Sequence, residues 1–361
     1  MTTSIAALDT AAARASAAVA EAEALDRAGR HAEAIDALAR AARTDVVAKT
    51  ELALRLLTGD RAPYLPQDAV RFLGEAARAG SGAAAGMLAV LAAAGVHLEQ
   101  SFAHAIDALV YAAVRGWRPA QLQLQVLARG EWDDAPPVDA GDGFWRSLGR
   151  SIDLVSWLEA GRPEIVCESP RIVSFEHFAA PAVCRWLIER SRGRLRRARV
   201  YHALKGEDVE AETRTNTQAS FPLTETDVVG LCLQHKMAAA CGMPFEHLEG
   251  LAVLHYDAGE ENKEHFDFVD PRVPNYAAVV EAKGERVITF LVYLNDDYEG
   301  GETAFPKLGI EHKGRAGEGF YFVNVADDGA PDLATLHAGR PPRRGEKWVV
   351  SQFIRNRRVL P

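Results

Sequence analysis

Long apolar runs are missing from this sequence: no stretch offers the roughly 18 uncharged apolar residues that a bilayer span requires, so no membrane association is expected. The amino terminus, MTTSIAALDTAAARASAAVAEAEALDRAGR, has no basic leading region, and Asp9, Arg14, Glu21 and Glu23 interrupt any apolar leader segment; a cytoplasmic protein is expected. Cysteine is scarce as well. The four residues, Cys167, Cys184, Cys232 and Cys241, have neither C-x-x-C spacing nor the density of a disulfide scaffold, which suits a reducing compartment. Positive charge is in deficit, with 41 Lys and Arg against 50 Asp and Glu for a net charge of −9, and this argues against a nucleic-acid partner, whose backbone demands a basic surface. One basic run, Arg190 to Arg199, stands against that average and reads as a solvated face or a contact for an acidic partner.

At 361 residues the chain exceeds what one hydrophobic core usually serves, and two domains are expected. The first 130 residues are rich in Ala, Leu, Glu and Arg, with apolar positions at helical spacing and no strand-like alternation. The segments AARTDVVAKTELALRLLTG from Ala41, AARAGSGAAAGMLAVLAAAG from Ala76 and AAVRGWRPAQLQLQVLARG from Ala112 resemble one another at offsets of 35 and 36 residues. That period marks a solenoid of paired helices. Gly59, Gly80, Gly95, Gly116 and Gly130 stand where its helices would end. The pattern resembles short, alanine-rich tetratricopeptide-type repeats. Residues 1–135 are therefore expected to form a helical repeat domain, and 136–165, beginning at Pro136-Pro137, a connection.

Beyond it the texture changes. Aromatic and β-branched runs at 171–178, 251–257, 286–296, 319–325 and 347–354 read as strands, while the segments after Ala180 and before Gly242 read as helices. Many short strands without regular βαβ alternation imply an antiparallel β architecture flanked by helices, so the whole is an α+β multidomain chain.

His265 and Asp267, two residues apart, would face the same side of an extended strand and reach one ion. His312 and His337 are both candidates for a third ligand. His337, which precedes the strand-forming run KWVVSQFI, is preferred. Two histidines and a carboxylate leave three positions of an octahedral ion open, the arrangement used by Fe(II) oxygenases. Lys347 opens the last strand, where a cation pointing into a barrel requires an anionic partner; the far carboxylate of 2-oxoglutarate would serve. Tyr256, nine residues before His265, could donate its phenolic hydrogen to the same group.

With these residues in view, the segments Arg214-Thr215-Asn216, LHYDAGEENKEHFDF, ERVITFLVYLNDDYEGGETAFPKLG, GEGFYFVNV and HAGRPPRRGEKWVVSQFIR resemble the prolyl 4-hydroxylase-like branch of the iron(II)- and 2-oxoglutarate-dependent dioxygenases. The resemblance implies a double-stranded β-helix (jelly-roll) domain at 166–361 with its core at 248–361. It implies Fe(II) at His265, Asp267 and His337, the C5 carboxylate of 2-oxoglutarate at Lys347 with help from Tyr256, and a co-substrate pocket lined by Thr289 and Leu291. It further implies O2 as oxidant, succinate and CO2 as products, and L-ascorbate as a rescuing reductant. Gly300-Gly301-Glu302-Thr303 is explained equally by the pocket or by a turn. Arg214, Arg286 and Asn262 are the candidate substrate residues. Asn262 stands where this branch often has a tyrosine near the substrate proline, so a free amino acid or small metabolite competes with a peptidyl proline as substrate. A peptide substrate would be recruited by the helical repeats. A zinc hydrolase leaves Lys347 unexplained, and a non-catalytic helical-repeat adaptor leaves both the triad and Lys347 unexplained. The stretch at 270–284 has the length and proline content of a lid or of an ordinary connection.

Overall fold

The computed structural model describes residues 16–133, 140–202, 207–209, 212–269 and 276–360. Two compact units emerge, one comprising Met1–Leu154 with Leu223–Cys232, the other Val155–Pro222 with Leu233–Pro361. No helix among the described residues is long and apolar enough to cross a membrane.

The first unit is helical: α1 (Ala17–Arg27), α2 (His31–Ala41), α3 (Val46–Thr58), α4 (Pro66–Arg78), α5 (Gly82–Ala94), α6 (Phe102–Val114), α7 (Arg118–Arg129) and α8 (Asp142–Arg150). The repeat is exact in its starts. α3, α5 and α7 begin 36 residues apart, as do α4 and α6. Its punctuation repeats too: Asp45 caps α3 and Ser81 caps α5 through side-chain oxygens that accept backbone N–H groups, and Gly59, Gly95 and Gly130 close α3, α5 and α7 in the left-handed conformation. Between α4 and α6, α5 is apolar all round and buries ten of its thirteen residues. Gly82 and Gly86 make room for the indole of Trp117, since a Cβ on Gly86 would lie 2.2 Å from that ring.

The stretch 136–165, read from sequence as a connection, contains α8 and a short helix α9 (Leu154–Leu158), while 134–139 lie outside the described residues. α8 buries Trp145, and its Gly149 lets α6 approach so closely that a Cβ there would be 2.4 Å from Val110.

The second unit is built on an eight-stranded sheet of β1 (Glu164–Cys167), β2 (Ile172–Phe175), β13 (Gly319–Val323), β9 (Arg286–Tyr293), β16 (Lys347–Arg355), β7 (Leu251–Tyr256), β6 (Thr217–Phe221) and β3 (Arg196–Arg197), in that spatial order. A second sheet runs β12 (Ile310–His312), β11 (Thr303–Phe305), β14 (His337–Gly339), β8 (Asn262–His265). Two-stranded pairs join β10 (Glu299–Gly300) to β15 (Pro342–Arg344) and β4 (Val200–His202) to β5 (Glu207–Val209), and every pairing is antiparallel. This is a double-stranded β-helix. Its core packs Ile172, Leu254, Leu291, Tyr293, Phe305, Phe320, Phe322 and Val349. The central strands β9 and β16 are buried almost throughout, which is why their sequences run as continuous Val, Ile and Phe instead of alternating.

α10 (Pro181–Arg192) takes Pro181 at its first turn, α11 spans Val228–Cys241, and α12 occupies Tyr276–Lys283. The 270–284 stretch is thus helical over 276–283, and 270–275 lie outside the described residues. The basic run is not a plain solvated face. Arg190 is 4% exposed, Arg190 and Arg194 lie 5.8 and 5.6 Å from the Phe221 ring, and Arg192 covers Trp348 while pairing with Glu189 and Glu346.

Candidate active site

Strand register carries the first step of site assembly. β8 and β14 pair so that His265 lies opposite His337, and β7 and β16 pair so that Tyr256 lies opposite Lys347. The Asp267 carboxylate arrives differently from the strand alternation expected, because β8 ends at His265 and the chain bends there. The bend still brings it between the imidazoles. Asp267 Oδ1 is 3.3 Å from His265 Nε2 and Oδ2 is 3.3 Å from His337 Nε2, and one donor atom from each residue lies within 4.8 Å of the others.

Each imidazole is oriented by its other nitrogen. Nδ1 of His265 lies 2.7 Å from the Lys263 carbonyl and Nδ1 of His337 lies 3.0 Å from the Thr335 carbonyl. Donation from Nδ1 leaves the lone pair of each ring on Nε2, the nitrogen nearest Asp267, as ligands require. Phe305 and Phe322 pack on His337 with ring centroids at 5.6 and 4.7 Å. Asp267 accepts from the Thr289 hydroxyl at 2.7 Å. Burial opposes charge on Asp267, but His337 and His265 outweigh it and hold the carboxyl well below its usual range. Burial likewise opposes protonation of His337, which Asp267 overcomes; burial and the neighbouring His337 push His265 down. Two histidines and an ionised carboxylate converging at the mouth of a cavity are a donor set that fits a divalent cation with open positions. His312, the other candidate ligand, instead pairs with Glu318 at 2.9 Å and stacks on Phe320.

The cavity of about 550 Å³ beside these three residues is lined by Tyr256, Thr289, Leu291, Thr303 and Lys347 on one side. The Lys347 side chain is 2% exposed and its ammonium donates to the Gly301 carbonyl at 2.8 Å. It forms no ion pair with a carboxylate among the described residues, and burial pushes its pKa down to about 8. A buried cation without a counter-ion, facing a cavity, fits an anionic ligand. The Tyr256 hydroxyl makes no hydrogen bond among the described residues, and burial raises its pKa to about 12, so it stays a donor at neutral pH. Gly300, the last residue of β10, and Gly301, just after it, both adopt left-handed φ, at 75° and 71°. Gly301 presents the carbonyl that holds Lys347, from a backbone conformation that glycine adopts without strain.

The substrate candidates lie on the same cavity wall. Asn262 Nδ2 is 3.1 Å from His265 Nε2. Among the described residues Arg214 donates to the side chains of Asn216 and Gln218 and to the Arg199 carbonyl. Arg286 gives Nε and Nη2 to Glu249 at 2.8 and 2.9 Å, and Arg355 gives its Nε to the same carboxylate at 2.7 Å. Glu249 had no signal in the sequence, because its partners are 37 and 106 residues away.

Comparison with known proteins identifies the family. Residues 251–355 match the profile of the 2OG-Fe(II) oxygenase superfamily. The chain is 31% identical over 259 residues to the probable prolyl 4-hydroxylase 9 of Arabidopsis thaliana, an alignment covering 66% of this chain and 83% of that protein. It is 30% identical over 204 residues to the probable prolyl 4-hydroxylase 7 of the same plant, covering 52% of this chain and 63% of the other. Among solved structures, a viral collagen prolyl hydroxylase of Paramecium Bursaria Chlorella virus-1, in its 2OG complex, aligns at 24% identity with a TM-score of 0.40, over 53% of this chain and 98% of that one. The chain belongs to the prolyl 4-hydroxylase-like 2-oxoglutarate- and Fe(II)-dependent dioxygenases.

Proposed function

We propose that His265, Asp267 and His337 hold Fe(II), that Lys347 and Tyr256 hold the C5 carboxylate of 2-oxoglutarate, and that the enzyme hydroxylates a prolyl residue in a peptide. The observation that carries the reading is Lys347: a buried ammonium with no ion pair among the described residues, on the wall of the cavity that also holds the triad. When bound there, iron and 2-oxoglutarate supply the oxidation of substrate C–H to C–OH by O2, with succinate and CO2 as the other products and ascorbate as the reductant that restores Fe(II).

The chain's own residues bind and orient. Lys347 supplies charge and direction, Tyr256 a second donor to the same carboxylate, and Leu291 an apolar wall. The backbone carbonyls of Lys263 and Thr335 fix the imidazole tautomers, and Phe305 and Phe322 keep water from the His337 side. The helical repeats recruit the peptide in this reading, as concave helical arrays do.

A second reading, a free amino acid or small metabolite as substrate, draws on Asn262 and Arg286. An amide stands beside His265 where a tyrosine is frequent in this branch, and the Arg286 fork is held by Glu249.

The test is succinate formation from 2-oxoglutarate by anaerobically Fe(II)-loaded protein on exposure to O2, with proline-rich peptides or free amino acids. Turnover coupled to addition of one oxygen atom to the peptide supports the peptidyl reading. Coupling to a free amino acid instead replaces it with the second, and no turnover despite bound iron contradicts both.

A further inference from the structure

Beneath the triad, the hydrogen-bond donors continue past Thr289. The Asn324 side chain is 0% exposed, just past the end of β13, and its Nδ2 donates to the Thr289 hydroxyl oxygen at 3.0 Å. Thr289 is 1% exposed, and its hydroxyl donates to Asp267 Oδ2 at 2.7 Å. Oδ1 of Asn324 is buried without a hydrogen-bond partner among the described residues. A threonine hydroxyl has one hydrogen to give. With the amide nitrogen donating to its oxygen, that hydrogen is committed to the carboxylate. Turning the amide over would place Oδ1 against the Thr289 oxygen and compete with Asp267 for the same hydrogen. The orphaned Oδ1 is therefore the cost of an orientation that serves the carboxylate, in a core where buried polar atoms are otherwise paired as a rule.

We propose that Asn324 and Thr289 are positioning residues for the metal: the relay from Asn324 through Thr289 to Asp267 holds the carboxylate so that one oxygen stays tethered to the protein and the other is presented to the ion. The proposal rests on the assignment of His265, Asp267 and His337 as metal ligands. It gives Thr289 a role distinct from lining the co-substrate pocket. Neither residue need touch 2-oxoglutarate or substrate. Partners that orient metal ligands typically contribute 10–100-fold to metal affinity when removed.

The test is binding of Mn(II) alone, as a redox-inert probe, to the metal-free full chain, read by electron paramagnetic resonance of the free ion. Thr289→Val, which keeps the shape and removes the hydroxyl, is expected to weaken Mn(II) binding about 10–100-fold, and Thr289→Ser to restore it. Asn324→Asp, which replaces the donor by an acceptor, is expected to weaken binding in the native background and to add little on top of Thr289→Val, since both act through one hydrogen bond. Circular dichroism checks the fold of each variant. If the Val variant does not fold, Asn324→Asp alone decides: a 10-fold or greater loss supports the relay, and an unchanged Kd overturns it. Unchanged affinity in a folded Thr289→Val variant, or fully additive effects of the two substitutions, also overturns it. Binding by the native chain that disappears in His337→Ala separates the two claims. If the native chain binds no Mn(II), the triad assignment falls and the relay with it.

Discussion

The two units of this chain treat buried polar groups in opposite ways. In the helical unit they are few and paired: Thr50 bonds the Val46 carbonyl and Ser81, Gln121 donates to the Ala113 carbonyl, and Gln125 accepts from the backbone of Asp133. Packing is by small residues; the side-chain caps Asp45 and Ser81 lie 36 residues apart, and the glycine closures Gly59, Gly95 and Gly130 lie 36 and 35 apart. Among the described residues, the interior of the β unit holds Lys347 without an ion pair, Tyr256 without a hydrogen bond, and Asn324 with an orphan oxygen. All three gather around the triad. Polar groups left incomplete in an otherwise consistent fold mark where function has overridden stability.

That contrast can be broken by substitution. The largest effect is expected at Lys347. Truncating one partner of a buried charge pair costs about 2–5 kcal/mol, so Lys347→Ala should weaken 2-oxoglutarate binding by that amount in calorimetric titration. The same position should behave oppositely in folding. Below pH 8 the folded chain carries a buried ammonium whose pKa has been pushed from 10.5 to about 8, a cost of about 3 kcal/mol. The folded state binds fewer protons than the unfolded between those values, so stability from this group rises across that window and the penalty is gone above about pH 10.5. Lys347→Met should therefore stabilise the ligand-free protein at pH 7, with an advantage over the native chain that shrinks between pH 8 and 10.5. Urea denaturation at several pH values measures this, and an advantage that does not change with pH would contradict it.

In the helical unit substitutions should only destabilise. Gly86→Ala forces a methyl into the Trp117 ring and is expected to cost about 1–3 kcal/mol of thermal or denaturant stability. Thr50→Val removes a satisfied pair with Ser81 and should cost about 1 kcal/mol. The smallest effect returns to the cavity: Tyr256→Phe should leave stability nearly unchanged and raise the KM for 2-oxoglutarate by about 1 kcal/mol, roughly fivefold. A gain in stability from the helical substitutions would dissolve the contrast.

Much of this was legible because local patterns carry it. The helical period, the H-x-D pair, the last strand with Lys347 at its start and the glycine closures are all encoded within a few residues of one another. What was not legible depends on long-range register. Thr289 meets Asp267 across 22 residues and Asn324 meets Thr289 across 35, through strands whose own sequences speak only of β-branched packing. The fork from Glu249 to Arg286 and Arg355 is of the same kind. The Asp267 bend escaped because H-x-D reads as strand alternation, and the helix at 276–283 because its flanking prolines and charges read as loop. The arginines from Arg190 to Arg194 read as solvated because charge says nothing of the aromatic rings brought beneath them.

The most direct test of the central claim is titration of 2-oxoglutarate into the Mn(II)-loaded native chain, Lys347→Ala and His337→Ala. The account predicts tight binding by the native chain, with affinity lost in Lys347→Ala although Mn(II) is retained, and with both Mn(II) and 2-oxoglutarate lost in His337→Ala. Equal binding of 2-oxoglutarate by all three proteins would contradict it.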